Sequence, residues 1–145
     1  MINTKDPKKV VSLLNDLDVS NREKLLEELA RSYPDLAEAI RDALFTFEDL
    51  VYVEDKGLQA LLRDLDQRTL AKALKGASQS VTNKILSNLS NRARIMLLEE
   101  KESLGQVRVS DIQSIQKDLA RQVRQLGEEG KLLIIRPEDD DPLIP

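Results

Sequence analysis

The chain has 145 residues, of which 41% are hydrophobic and 33% charged, with aromatic rings only at two Phe and two Tyr; this is one ordinary domain or two very small ones. Cysteine and histidine are both absent, which excludes a disulfide framework, a zinc finger, a thiol nucleophile and a Ser-His dyad, and no glycine spacing makes a phosphate cradle. The net charge of −4 equals that of the acidic run Glu138-Asp139-Asp140-Asp141; a neutral body excludes broad nucleic-acid binding, and no apolar run approaches the ~18 residues of a membrane span.

Helical periodicity dominates from the N-terminus. Asp6-Pro7 reads as an N-cap followed by proline at the first helical position, where its missing N–H costs nothing. Val10, Val11, Leu14 and Leu17 then recur at three- and four-residue steps as one apolar stripe. Ser20-x-x-Glu23 has the form of a capping box, and Leu25, Leu26 and Leu29 follow it on one face. Pro34 opens a third helix with Leu36, Ile40 and Leu44. Residues 1–43 are therefore expected to form an armadillo-like helical subdomain. Three short helices cannot bury all their own stripes, so the unit is expected to stack on a neighbour through Val10, Leu14, Leu25 and Leu29.

Leu44-Phe45-Thr46-Phe47 comes next, with Tyr52 close behind. Two readings stay open: both Phe rings belong to the core, or residues 44–47 are a hinge whose rings can repack. Thr46 is placed to cap a short helix, since Asp49 stands three residues on. From 48 to 136 the pattern is again a run of helices. Leu58, Leu61, Leu62 and Leu65 make one stripe, and Asp66 caps the next, which carries Leu70, Ala71, Ala73 and Leu74. Lys75-Gly76 ends that helix with a cation in the last turn and a glycine able to take positive φ. Ser80 is expected to open a helix with Val81, Ile85, Leu86 and Leu89, and Ser90 another that stops near Gly105. Ser110-x-x-Gln113 reads as a capping box for the longest helix, through Ile112, Ile115, Leu119, Val123 and Leu126 to Gly127 and Gly130. Leu132-Leu133-Ile134-Ile135 is either a short extended segment or a buried turn. Residues 137–145 are expected to be an acidic disordered tail. The fold class is all-α: a small armadillo-like unit, then a multi-helix C-terminal domain.

The helix opened by Ser90 has an unusual charge order. At about 100° per residue, Ala93, Leu97 and Leu104 face inward, while Glu99 and Ser103 fall beside Arg92 on an exposed ridge and Glu100 flanks the core stripe. The ordinary reading is a solvated face with weak intrahelical pairs of about 0.3–0.5 kcal/mol each. Yet the base stands near the N-terminal end and the acids near the C-terminal end, against the helix dipole. Local stability does not explain that order, which is mildly suggestive of an external partner, and the solvated face stays the leading reading of these residues on sequence physics alone.

At these residues the chain resembles the C-terminal part of the bacterial flagellar motor switch family FliG. The resemblance is carried by Phe45-Thr-Phe-Glu-Asp-Leu-Val, Ala73-Leu-Lys-Gly-Ala-Ser, Asn88-Leu-Ser-Asn-Arg-Ala and Val107-Arg-Val-Ser-Asp, in the family's order and spacing. It extends from about Pro7 to Ile135. It implies a non-enzymatic rotor component without a cofactor or metal, at the cytoplasmic face of the inner membrane in the flagellar basal body. It also implies a charged ridge of Lys75, Arg92, Glu99, Glu100 and Arg108 that meets the cytoplasmic loop of the stator protein MotA and transmits torque. Leu44, Phe45, Thr46 and Phe47 would be the hinge that re-aims the ridge when direction switches. Other rotor subunits, including the FliG middle domain and FliM, are the further partners implied, with self-association possible through the N-terminal unit.

The departures from the family pattern are local. Leu44 replaces a methionine, Gln106 a proline, and Lys101 an apolar residue, while Arg94 and Leu98 alter the charge pattern. The E-H-P-Q motif of the family's middle domain cannot occur in a chain without histidine. A C-terminal piece or a short stand-alone relative both fit this length. Two competing readings are a structural adaptor that docks on rotor subunits without torque, and a helical regulatory module of another system.

Overall fold

The structure is a computed structural model, and it describes Leu14 and residues 17–135. The helix expected after Pro7, including Val10, and the acidic segment 137–145 lie outside the described residues. The fold is all-α, and the chain divides between Phe45 and Thr46 into two compact units.

In the first unit, α1 (Val19–Ser32) packs against α2 (Pro34–Leu44). Leu14, Leu26 and Ile40 are the buried centre, with Leu25, Leu29, Leu36 and Leu44 half-buried against it. The cap of α1 differs from the expected Ser20. Asp18 holds extended backbone, and its carboxylate accepts the Asn21 N–H at 2.8 Å. An ionised acceptor at the positive end of a helix is a strong cap, and Ser20 falls inside the first turn. Tyr33 closes α1 with its own N–H on the Leu29 carbonyl, and Pro34 starts α2 immediately.

The second unit begins with a 3-10 helix, Phe47–Tyr52. Asp49 Oδ2 reaches back to accept the Thr46 N–H at 2.9 Å and the Thr46 hydroxyl at 3.3 Å. Then come α3 (Asp55–Asp64), α4 (Gln67–Lys75), α5 (Gln79–Ser87), α6 (Asn91–Ser103) and α7 (Val109–Glu128). Asp66 caps α4 through the Thr69 N–H, and Ser90 caps α6 through the Ala93 N–H, as their spacing predicts. Two caps differ. Ser78, not Ser80, accepts the Val81 N–H and starts α5. At α7 the chain is extended at Arg108, whose carbonyl accepts the first intrahelical bonds, so Ser110 already lies within the helix.

Helix α4 is central to this unit and packs against both α6 and α7. Ala71 and Ala73 are fully buried beside Leu70 and Leu74, and their small side chains let neighbouring backbones come close. Gly76 serves the same end. Its φ is −107°, so the expected positive φ is not used; instead a Cβ there would stand 2.7 Å from Ile112 Cγ2 of α7. The positive φ occurs at Gly105 (62°), where α6 stops, and at Gly130 (74°), after α7. Of the two options for residues 132–135, the extended one is observed. Ile134 forms an antiparallel bridge with Val53, the Glu54 N–H donates to the Leu133 carbonyl, and the Ile135 N–H donates to the Tyr52 carbonyl.

Candidate functional site

Helix α6 owes its start to the Ser90 cap and its anchorage to Leu97, which is 1% exposed and its one buried residue. Ala93 and Leu104, the other inward positions of the wheel, are half-buried. Arg92 and Glu99 are exposed, two turns or about 10 Å apart along the axis. Glu100 is half-buried, on the flank of the core stripe where the wheel puts it. Arg108 is exposed at the start of α7.

Lys75 sits apart from these in sequence but not in space. Its ammonium donates to the backbone carbonyl of Gly105, three residues before Arg108. The last turn of α4 is thereby tied to the turn that follows α6. At the other end, Gln67 and Leu70 from the first half of α4 line a groove together with Ala93, Met96 and Leu97 from the first half of α6. The two helices therefore run side by side in the same sense. Lys75 and the Gly105–Arg108 turn mark one end of the surface, Arg92 marks the other, and Glu99 lies between.

Among the described residues, the side chains of Arg92, Glu99, Glu100 and Arg108 make no ion pair or hydrogen bond. Elsewhere in the same unit charges do pair. Lys84 Nζ lies 2.8 Å from Asp55 Oδ1, and Asn88 Nδ2 donates to the same oxygen at 3.1 Å. The hydrogen bonds from Lys84 and Asn88, with the Lys84 charge, hold the Asp55 carboxyl below its ordinary range. Arg94, which alters the charge pattern of the sequence, is turned away from the ridge. Its Nε donates to the Leu86 carbonyl at 3.2 Å and its Nη2 to the Leu89 carbonyl at 3.4 Å, satisfying the end of α5.

Sequence reasoning missed the apolar members of this face. Ile95, Met96 and Leu98 are 57%, 45% and 41% exposed. Ile95 and Met96 stand three and four residues after Arg92, and four and three before Glu99, so the helical wheel that marks the charges also carries this signal. The groove beside Met96 encloses about 650 Å³ and is walled by Leu62, Leu65, Leu70 and Leu89. Gln59 bonds Asn88 at 3.0 Å on its lining. Among the described residues no group of His, Cys, Asp or Glu side chains could hold a metal ion, and no helix is long and apolar enough to cross a membrane.

The remaining expected site residues fall at the division between the units and inside the first. Phe45 and Phe47 are both buried, and the division assigns Phe45 to the first unit and Phe47 to the second. Leu14 is buried in the first unit's core, and Leu25 and Leu29 are half-buried against that core.

Comparison with known proteins shows the family. A family model described as the FliG C-terminal domain matches residues 27–134. The flagellar motor switch protein FliG of Thermotoga maritima is 39% identical over 124 residues, covering 86% of this chain and 37% of the relative. That of Bacillus subtilis is 35% identical over 135 residues, covering 93% of this chain and 40% of the relative. The structure of full-length FliG from Aquifex aeolicus superposes with a TM-score of 0.76 at 36% identity, covering 88% of this chain and 39% of that one. The chain spans about two fifths of the length of these relatives.

Proposed function

The chain belongs to the FliG C-terminal domain family, and from that premise we propose that it is a non-enzymatic component of the flagellar rotor, in the switch complex of the basal body at the cytoplasmic face of the inner membrane. The outer face of α6 is its working surface. Arg92, Glu99, Glu100 and Arg108, with Lys75 fixing the neighbouring turn, meet opposite charges on the cytoplasmic loop of the stator protein MotA and transmit torque. The observation that supports this most directly is that the exposed Arg92, Glu99 and Arg108 and the half-buried Glu100 have no side-chain partner among the described residues, while Lys84 and Arg94 in the same unit are bonded within it. Unpaired opposite charges at fixed spacing on a rigid helix select a complementary partner at small cost to folding.

Two further roles belong to the same proposal. Leu44, Phe45, Thr46 and Phe47 act as the hinge of direction switching: the chain divides between Phe45 and Thr46, both Phe rings are buried, and repacking such rings is a discrete, two-state change. Leu25 and Leu29, half-buried on the first unit, contribute with Val10 to stacking on the middle domain of a rotor subunit, whereas Leu14, expected in the same stripe, is buried in the unit's own core and supports that surface from beneath; FliM is a further partner in the switch complex. The test is site-specific photo-crosslinking in flagellated cells, with the cross-linker at position 92 or 99. Capture of the stator protein is the expected result. Capture of rotor subunits alone would transfer the α6 face to an adaptor role and overturn the torque assignment.

A further inference from the structure

The charged face of α6 is also an apolar one. Residues at i, i+3, i+4 and i+7 share one side of a helix, and here they read Arg92, Ile95, Met96 and Glu99. Among the described residues Ile95 and Met96 are two of the more exposed large apolar side chains, and Leu98, three residues on, adjoins Ile95 on its far flank. A lone exposed Leu or Ile is ordinary; Ile95 and Met96 between Arg92 and Glu99, with Leu98 extending the row beside Ile95, form a patch on a thirteen-residue helix that has one buried residue. Met96 also lines the groove of about 650 Å³ whose other walls include Leu62, Leu65 and Leu70. The exposed face and the groove are therefore continuous through a single flexible side chain, the kind that repacks readily around a guest.

This is the anatomy of a protein-binding site, with an apolar centre that loses water on contact and charges at the rim. We infer that the face takes an amphipathic helix of the partner protein, its apolar side chains seated on Ile95 and Met96 and in the adjoining groove, with a carboxylate opposite Arg92 and a cation opposite Glu99. The inference rests on reading α6 as the partner-facing helix, and it adds a desolvated anchor to what charge contact supplies. Charge complementarity selects the occupant: the rim offers one unpaired base and one unpaired acid about 10 Å apart along the axis. The same order is complementary to itself about a two-fold axis, so a second copy is the competing occupant. Three exposed side chains fall short of the roughly 800 Å² per partner of a standing complex, and suit a contact that is made and broken repeatedly.

The experiment uses the 145-residue chain and a synthetic helical peptide with leucines on one face, flanked by Glu and Lys seven residues apart. A second peptide has the leucines replaced by glutamine. Binding is read by fluorescence anisotropy at low and at high salt, alongside sedimentation of the chain alone. Wild type is expected to bind the leucine peptide and to keep most of that binding at high salt. The double variant Ile95→Gln, Met96→Gln should bind about tenfold or more weakly, the single variant Ile95→Gln, at the more exposed of the two positions, should already weaken binding with the unfolding midpoint unchanged, and the glutamine peptide should bind as weakly as the double variant does. No binding by wild type, equal binding by the double variant, loss of wild-type binding at high salt, or a dimer abolished by Ile95→Gln would each overturn the inference. Arg92→Glu with Glu99→Arg separates it from the reading beneath it. If these charge variants alone lose binding, the electrostatic contact stands and the apolar anchor falls; if no variant loses binding, both fall.

Discussion

Lys75, in the last turn of α4, donates its ammonium to the backbone carbonyl of Gly105, the residue of positive φ that ends α6. One side chain thus joins the ends of two parallel helices and sets the turn that leads to Arg108. It also favours the negative end of its own helix. Of the five charges that the family resemblance marks, this one is structural as well as available.

That distinction is measurable. Replacing Lys75 by Met keeps most of the aliphatic stem and removes the donor. The expected cost is about 0.5–1.5 kcal/mol, the net value of such a bond. Arg92→Met and Glu99→Gln should each change stability by less than about 0.5 kcal/mol, because both side chains are exposed and unpaired. Urea denaturation of the three variants checks the order; equal effects at all three positions would show that Lys75 carries no structural load.

Gly76 follows Lys75 and faces α7. Its missing Cβ leaves room for Ile112 Cγ2, which would otherwise lie at 2.7 Å. Gly76→Ala should destabilise by about 1–3 kcal/mol through overpacking between α4 and α7. The cost should shrink in an Ile112→Ala background, where the obstructing methyl is gone, and a double-mutant cycle measures that coupling. Additive costs would place the glycine's role elsewhere.

The pair of Lys84 and Asp55 predicts a pH dependence. Hydrogen bonds from Lys84 and Asn88 lower the Asp55 pKa from its ordinary value of 3.8. A carboxyl whose folded pKa is depressed adds stability that is fully present above its unfolded pKa. That stability is lost as pH falls through the folded pKa, so the loss lies in the acid range below 3.8. In a carbonyl-carbon NMR titration, Asp55 should titrate below ordinary aspartates, and Lys84→Met should raise its midpoint. An unchanged midpoint in that variant would contradict the pairing.

Much of this structure was legible in the sequence, and the exceptions share a cause. Asp66, Ser90 and the pair of Thr46 and Asp49 are strong caps next to an apolar period, and each is found where the spacing puts it. The helix starts that differ, Asp18 for Ser20, Ser78 for Ser80 and Arg108 for Ser110, each lie two residues before the residue that the local pattern names. Local pattern cannot choose between the two positions, because tertiary packing decides which backbone stays extended. The charges of α6 stand out on a helical wheel, and the same wheel sets Ile95 and Met96 beside them, but their exposure depends on packing that only the structure shows. The bond from Lys75 to Gly105 spans thirty residues and has no local signal at all. The role of Gly76 was misassigned for the same reason: its neighbour Ile112 belongs to another helix.

The central claim is that Arg92 and Glu99 meet opposite charges on the stator loop, and a charge exchange tests it most directly. Arg92→Glu and a reversal of the facing acid on the loop are measured singly and together, for binding and for swimming when the chain's residues are placed in a motile cell. Each single reversal should weaken binding by about tenfold or more, as for close charge pairs at other interfaces, with thermal unfolding unchanged. Both reversals together should restore binding and motility. Singles that leave both unchanged, or a double that stays as weak as the sum of its parts, would contradict the account.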